Sequence, residues 1–284
     1  MPDLDRPTNR FAPWKLGLSI LVGLVIAGAV VGRPLTAPLP STINIADMTW
    51  VEVRTALAHG YTRVIVPSGG IEQNGPHMIM GKHDHIVAFT ARRIASDLGN
   101  TLVAPVVSFV PQGEYVPPTD NMRFPGTIGV PASVFAGTLE GIARSLKAGG
   151  FKTICFIADH GPSVKPQAEV AARLSKEWAS DGVKVISVDD YYTAGGELQN
   201  VFLMAQGETK TTIGQHAGIA DTSELMAVYP EGVDLKRFGD LPFSLEPTGA
   251  DGDAGRASAE RGKRLLEIKI EAAVRQIKAA TPAL

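Results

Sequence analysis

Short hydrophobic runs alternate with stretches of helical periodicity from residue 48 to the C-terminus. The runs are bounded by polar residues, glycine or proline, which predicts buried strands. They span 63–67, 101–107, 152–158 and 184–189. Between them, hydrophobic residues recur every three or four positions, which predicts amphipathic helices. These span 50–59, 84–98, 133–148, 166–180 and 256–279.

This alternation of strands and helices predicts a single three-layer α/β/α domain with a mostly parallel sheet. Its order is interrupted by an irregular segment, 108–131, that contains five prolines. A loop of that length inside a compact domain is usually functional, for example as a lid or a pocket wall. We therefore expect its central part, 112–123, to shape substrate specificity.

The N-terminus has a different pattern. Basic residues at positions 6, 10 and 15 precede an uncharged, mostly apolar stretch over 16–31, and a proline-containing segment follows over 34–40. The apolar stretch is intermediate between a signal-peptide core and a membrane span, which needs about twenty residues. Positive charge before it places the rest of the chain on the outer side of a membrane.

We therefore expect 1–40 to be a signal peptide or inner-membrane anchor followed by a linker, and 41–284 to be the folded domain. The small residues at 27–29 offer a cleavage site, and cleavage and anchoring through 16–31 stay open as alternatives. In either case the domain is predicted to be exported and periplasmic.

Composition narrows the class of protein. The chain has 284 residues, of which 44% are hydrophobic and 20% charged, as in ordinary globular proteins. A net charge of −2 and the lack of a basic cluster give no reason to expect a nucleic acid partner. The single cysteine, Cys155, lies in an apolar run, so it is predicted to be a core residue without a disulfide.

Polar residues follow two of the predicted strands. Glu72 belongs to a segment over 69–85 that is rich in acids, carboxamides and imidazoles, directly after the strand 63–67. Asp159 and His160 directly end the strand 152–158. Because ligands of parallel sheets bind beyond the carboxyl ends of the strands, we expect these side chains to share one edge.

A hydrolytic metal site needs about three protein ligands and one open position for water. The candidate ligands are Glu72, His83, Asp84, His160, His216 and Asp221. Asp84 is better explained as a helix cap, and for Asp221 a cap and a ligand are equally supported. His77 and His85 are expected to support the site or to lie on the surface.

Several segments together resemble the creatininase (creatinine amidohydrolase) family. Residues 72–77 resemble its Glu-Gln-His-Gly-Pro-His signature, and 124–128 its Phe-Pro-Gly-Thr-Ile segment. Residues 159–161 resemble its Asn-Gly-His-Gly-Gly-Asn turn. Residues 216–223 are similar to its His-Ala-Gly-x-x-Glu-Thr-Ser segment, and the closing helix also matches. The likeness covers roughly 48–277, with the motifs in the family's order.

This resemblance implies an α/β fold, a site for zinc or another divalent ion, oligomeric assembly and hydrolysis of C–N bonds in small, often cyclic amides. By position, Glu72 and His160 match metal ligands of the family. His216 matches the histidine that moves protons, and Asp221 matches the acid of the Glu-Thr-Ser segment.

Two departures from the family pattern change the expected metal site. Asn74 replaces a histidine ligand, and His83 replaces an aspartate that bridges two metal ions in creatininase itself. Losing that imidazole and that carboxylate removes a ligand and the negative charge that holds two cations together. We therefore predict one ion, zinc with manganese or iron as alternatives, held by Glu72, His83, His160 and Asp221.

The leading hypothesis is metal-dependent hydrolysis of an amide bond in a small cyclic substrate by metal-activated water, with His216 as the catalytic proton carrier. A homo-oligomer is expected. The alternative is a non-catalytic, exported small-molecule-binding protein derived from the same fold, which the changes at Asn74 and His83 favour.

Overall fold

A computed structural model describes residues 38–239, 241 and 245–281. Within these residues four parallel strands form one sheet in the order β2-β1-β3-β4. The strands are β1 Arg63–Ser68, β2 Thr101–Val103, β3 Thr153–Ala158 and β4 Lys184–Ser187. The predicted parallel sheet is confirmed.

Helices connect and cover these strands. The long ones are α1 Trp50–Ala58, α2 Lys82–Leu98, α3 Ala132–Ala148, α4 Gly161–Glu177, α5 Thr193–Ala205, α7 Ile219–Val228 and α9 Ala259–Ala280. Two single turns, α6 Lys210–Ile213 and α8 Leu245–Thr248, lie between them. None of the helices in the described part of the chain is long and apolar enough to cross a membrane.

The strands bury both faces. In β1, Val64 and Val66 belong to a core shared with α3 and α4, whereas Ile65 belongs to a second core shared with α2 and α9. This alternation follows from the two-residue period of a strand. Full burial of such an aliphatic side chain stabilises the fold by roughly 1.5–3 kcal/mol. The two cores confirm the three-layer α/β/α architecture.

Some predicted boundaries were wrong. Helix α4 begins at Gly161 rather than at Pro166, which lies inside the helix. Pro162 fits the first turn because that turn needs no amide donor, so the helix can start directly after the strand. Helix α5 was not predicted, since Gly195 and Gly196 weaken its helical signal. Cys155 is buried, and burial raises the pKa of its thiol to about 12.

The strand order places a crevice beside β1. From β1 the chain continues to β2 on one side and later to β3 on the other, so the connections after β1 and β3 run in opposite directions. Ligands of open parallel sheets bind at such a point. The loop 69–81 and the turn after β3 both open there. The predicted N-terminal segment 1–40 falls almost entirely outside the described residues.

Candidate active site

Glu72 is the centre of the site. It lies just beyond β1 with 1% of its side chain exposed. Its Oε1 is 2.8 Å from Nε2 of His83, and its Oε2 is 2.9 Å from Nε2 of His160. Burial raises the pKa of the carboxyl, but the two histidines outweigh burial and hold the pKa well below its usual range. Glu72 is therefore an ionised carboxylate between two imidazoles.

His83 lies in the first turn of α2, with a carboxylate at each ring nitrogen. Its Nδ1 is 2.8 Å from Oδ2 of Asp159, on the side opposite Glu72. Burial and Lys82 lower the pKa of this imidazole, but Glu72 and Asp159 raise it to about 9. His83 therefore donates an N–H to each carboxylate and links the ends of β1 and β3.

His160 caps the start of α4 immediately after β3. Its Nδ1 is 3.1 Å from Oγ of Ser163 in the first turn of that helix. Burial lowers the pKa of the imidazole, although Glu72 opposes this effect. The ring is therefore neutral at neutral pH, with Nε2 directed to Glu72.

His216 reaches the same carboxylate from the loop before α7. Its Nδ1 is 3.7 Å from Oε1 of Glu72, and its Nε2 is 2.9 Å from the carbonyl oxygen of Gln73. Burial lowers the pKa of the imidazole, which keeps it neutral. Nε2 also lies 2.9 Å from the side-chain nitrogen of Gln73. In the tautomer protonated at Nε2, the ring donates to the Gln73 carbonyl and leaves Nδ1 free to accept a proton beside Glu72, whereas in the other tautomer Nε2 accepts from the Gln73 amide.

Asp221 lies in the first turn of α7, where a carboxylate suits the helix dipole. Its Oδ2 accepts hydrogen bonds from the backbone N–H of Ala217 and from Nζ of Lys82, both at 2.8 Å. The structure thus brings Asp221 to a lysine and not to the imidazoles.

Lys82 was missed by the sequence analysis. Its side chain is 1% exposed, and its Nζ lies 2.8 Å from Asp221 Oδ2 and 3.9 Å from Glu72 Oε1. Burial lowers the pKa of this amine, but Asp221 and Glu72 outweigh burial and raise it. One signal in the sequence indicates that Lys82 is buried. Lys82 precedes Ile86 by four residues, so both lie on the same, buried face of α2.

Asn74 stands where the family has a histidine, and it stabilises the loop. It is fully buried, and its Nδ2 donates to the carbonyl oxygens of Glu72 at 2.9 Å and Ile79 at 3.1 Å. The backbone holds the Nδ2 end of the carboxamide, whereas Oδ1 is buried and has no hydrogen-bond partner among the described residues. Through Nδ2, Asn74 therefore stabilises the loop that carries Glu72.

The irregular segment supplies one contact to the centre. Nδ2 of Asn121 donates to Glu72 Oε2 at 2.7 Å and to Gln112 Oε1 at 3.0 Å. Asn121 lies within 112–123, the part of the segment that the sequence predicts to shape specificity, and it borders the pocket. Hydrogen bonding to Asn121 fixes the rotamer of the Glu72 carboxylate.

The other candidate residues serve the loop and the helix ends. Asp84 was favoured as a helix cap, but the N-cap is Gly81, and Asp84 Oδ1 accepts from the N–H of Gly70 at 2.9 Å. His77 is buried, with Nε2 2.9 Å from Thr222 Oγ1, and burial lowers the pKa of its ring to about 4. His85 stacks on a tyrosine ring away from Glu72.

A second ionic group lies next to the first, and we call it the Lys269 cluster: Lys269, Asp159, Glu224, Tyr191 and Gln199. Nζ of Lys269 is 2.5 Å from Asp159 Oδ1 and 3.1 Å from Glu224 Oε2. The hydroxyl of Tyr191 donates to Asp159 at 2.8 Å, and the amide of Gln199 donates to Glu224. We call Glu72, Lys82, His83, His160, His216 and Asp221 the Glu72 cluster.

A cavity of about 320 Å³ opens over these groups. Glu72, His160 and His216 border it on one side, and Tyr192 and Asn200 border it on the side of α5. This volume is at the lower end of the range for small-molecule sites in proteins, which is about 300–1,000 Å³.

The side chains around Glu72 include donors of the kind that a divalent metal ion needs. Among the described residues no three His, Cys, Asp or Glu side chains are already spaced around an ion. Glu72, His83 and His160 nevertheless supply one carboxylate and two imidazoles, the donor set of many catalytic zinc sites. Nε2 of His83 and Nε2 of His160 each lie within 2.9 Å of a carboxylate oxygen of Glu72. Among the described residues, Asp221 is bound to Lys82 and Nδ2 of Asn74 to backbone carbonyls, whereas Oδ1 of Asn74 is buried without a hydrogen-bond partner.

Known proteins resemble this chain over most of its length. The family model described as "Creatininase: Creatinine amidohydrolase" matches residues 46–277. Creatinine amidohydrolase of Pseudomonas putida is 25% identical over 252 residues, covering 82% of this chain and 95% of that protein. The mycofactocin precursor peptide peptidase of Mycolicibacterium smegmatis is 26% identical over 230 residues, covering 77% and 85%.

Solved structures share the fold. A structure described as "Creatininase Mn" superposes with a TM-score of 0.68 at 25% identity, covering 85% of this chain and 100% of that one. A creatininase variant of "Zn-Zn type" gives a TM-score of 0.66 at 23% identity, with 86% and 100% covered. The first of these names one divalent metal, manganese, and the second names a pair of zinc ions.

Proposed function

The chain belongs to the creatininase family and is a hydrolase that acts on C–N bonds, and we propose that it cleaves the amide bond of a small cyclic substrate with one divalent metal ion. The observation that carries the proposal is the buried Glu72 carboxylate, held between Nε2 of His83 and Nε2 of His160 at the base of the cavity. These three residues would hold the ion.

Zinc is the proposed ion, with manganese or iron as alternatives, since two imidazoles and one carboxylate suit all three. When bound, the ion lowers the pKa of a water molecule and polarises the substrate carbonyl. Asp159 orients His83 through Nδ1, and Ser163 orients His160 in the same way. Such partners fix the ring orientation and increase the basicity of a ligand.

His216 is the proposed catalytic proton carrier. Its Nδ1 faces Glu72 at 3.7 Å and borders the cavity, while Gln73 holds Nε2. A neutral imidazole in this position can accept a proton from the attacking water and then donate it to the departing nitrogen. That nitrogen leaves as an amine, so the two transfers return His216 to its starting state.

A cyclic amide suits the size and polarity of the cavity. The volume of about 320 Å³ accepts a compact ring, and the Asn200 and Tyr192 side chains offer hydrogen bonds beyond the reacting carbonyl. The alternative of binding without turnover is less well supported, because His216 and Glu72 lie within reach of one another and the relatives are enzymes.

Metal analysis of protein purified without chelator tests the metal site. We expect about one ion per chain in the wild type and loss of the ion in Glu72→Ala and His160→Ala. His59→Ala is the matched control, because His59 is an exposed imidazole at the end of α1. A wild type without stoichiometric metal, or variants that keep it, would contradict the proposed site.

A substrate screen tests the chemistry. Lactams, hydantoins, creatinine, formamides and lactones should be compared with short peptides, and turnover should be lost in His216→Asn. If compounds bind without any release of amine or acid, the binding-only alternative replaces the proposed function.

We also propose that the domain is exported and assembles as a homo-oligomer. The basic residues before the apolar stretch 16–31 support export, either with cleavage or with anchoring in the inner membrane. N-terminal sequencing of protein from fractionated cells and light scattering of the purified protein test these points.

A further inference from the structure

Lys82 places a fixed positive charge inside the proposed metal site. We propose that the Lys82 ammonium takes the place of a second divalent cation, so that this chain works with one metal ion and one organic cation. The inference rests on the proposed function, and it adds a positioning residue that neither the motifs nor the relatives' names indicate.

The contacts of Lys82 are those of a cation between two carboxylates. Its Nζ is 2.8 Å from Oδ2 of Asp221 and 3.9 Å from Oε1 of Glu72. The side chain is 1% exposed, and the residue borders the cavity. A buried ammonium needs such partners, and a buried carboxylate needs such a cation. Lys82 therefore links the acid of α7 to the acid at the end of β1.

The residues around it lack the imidazole and the bridging carboxylate that would hold a second metal ion. Nδ2 of Asn74 donates to two backbone carbonyl oxygens of its own loop, which leaves only Oδ1, a weaker zinc ligand than imidazole, without a partner among the described residues. His83 brings an imidazole whose two nitrogens already face Glu72 and Asp159, so it cannot bridge two ions as a carboxylate would. Asp221, the remaining acid, is bound to Lys82. A creatininase variant of similar fold is described as "Zn-Zn type". That protein holds two zinc ions, whereas this chain is proposed to hold one ion and an ammonium.

Charge explains why the lysine and a second ion exclude one another. A divalent ion between Glu72 and Asp221 would lie within a few ångströms of Nζ in a buried, weakly screened environment, where like charges repel strongly. Lys82 instead supplies one positive charge without dissociating. It thereby holds Asp221 in place and keeps the Glu72 carboxylate oriented towards His83 and His160.

The test counts metal ions in four proteins: the wild type, Lys82→Arg, Lys82→Met and Lys82→Glu. Each is titrated with Mn²⁺ by calorimetry and analysed by mass spectrometry for bound metal. The wild type and Lys82→Arg should hold the same number of ions. Lys82→Glu should hold one ion more, because three carboxylates would then surround the position that Nζ leaves.

Lys82→Met separates the charge from the metal count. It provides no ligand, so it should keep the wild-type number of ions while kcat/KM falls on the order of 100-fold, as when one preorganised electrostatic group is removed. Lys82→Arg should recover part of that loss. Circular dichroism and thermal unfolding establish whether each variant is folded. If Lys82→Met does not fold, the metal counts of Lys82→Arg and Lys82→Glu test the inference.

Three results would overturn the inference: a wild type that binds two ions, a Lys82→Glu variant with the wild-type number, or a Lys82→Met variant with wild-type kcat/KM. The proposed function fails separately, if the wild type binds no ion. That result would overturn the inference as well, whereas two ions in the wild type would overturn the inference alone.

Discussion

The Glu72 cluster and the Lys269 cluster use the same ionic unit for different purposes. In each, a buried lysine lies between two carboxylates: Lys82 between Asp221 and Glu72, and Lys269 between Asp159 and Glu224. The clusters differ in what completes them. Tyr191 and Gln199 saturate the carboxylates of the Lys269 cluster, whereas imidazoles complete the Glu72 cluster.

This difference shows how burial and chemistry are combined at one sheet edge. A tyrosine hydroxyl and an amide donate hydrogen bonds without changing protonation near neutral pH, so the Lys269 cluster is suited to holding α9 and α7 against β3. An imidazole can exchange protons or bind a metal, so the Glu72 cluster is suited to reaction. Asp159 joins the two clusters, because one oxygen accepts from His83 and the other from Lys269.

The largest effect should come from Glu72→Gln. The change keeps the size of the side chain but removes the charge that faces both imidazoles, and kcat/KM should fall roughly 1,000-fold. Steady-state kinetics on the best substrate of the screen measures it. Glu140→Gln is the matched control, since Glu140 is an acid in exposed ion pairs with Arg144 and Arg173. Equal activity of the two variants would remove Glu72 from the centre of the site.

Lys269→Met should mainly destabilise the fold. It leaves the buried carboxylates of Asp159 and Glu224 without their cation, which costs about 4 kcal/mol of unfolding free energy. Urea unfolding measures this loss, and adding Glu224→Gln to the variant should recover part of it. If Lys269→Met unfolds like the wild type, the contrast between a structural and a reactive cluster is wrong.

Acid should weaken the support of the Glu72 loop through His77. Burial lowers the pKa of this imidazole to about 4, against about 6.5 in an unfolded chain. The unfolded state therefore binds more protons between these values, so the stability due to neutral His77 is complete above pH 6.5 and is lost as pH falls through 4. The loss should reach about 3 kcal/mol. Unfolding curves from pH 7 to 4 measure it, and in His77→Gln the slope over this range should be smaller.

The smallest effect is expected from Asn74→His, which restores the residue typical of the family. Lys82 remains, so the number of bound metal ions should not change. Loss of the bonds from Asn74 to the carbonyls of Glu72 and Ile79 should cost about 1–2 kcal/mol. Metal analysis and urea unfolding of this variant test both points. A gain of one ion would mean that Asn74, rather than Lys82, excludes the second cation.

Local sequence patterns were enough to predict the layered sheet and the end of the sheet that carries the site. Hydrophobic periodicity is local, so β1 and β3 could be read from short apolar runs, and Glu72 and His160 from the polar residues that end them. Helix α5 was not predicted because its two glycines lower the helical propensity of the segment, and tertiary packing stabilises the helix instead.

The partners of those residues depend on tertiary contacts between distant parts of the chain. Lys82 and Asp221 are 139 positions apart, and Asp159 and Lys269 are 110 apart, so no local pattern could pair them. Asn121 likewise reaches Glu72 across 49 positions. Ion pairs and hydrogen bonds between distant residues depend on how helices pack onto the sheet. That packing brings the Lys82 ammonium to both Glu72 and Asp221, which the motifs alone predict to share a metal ion.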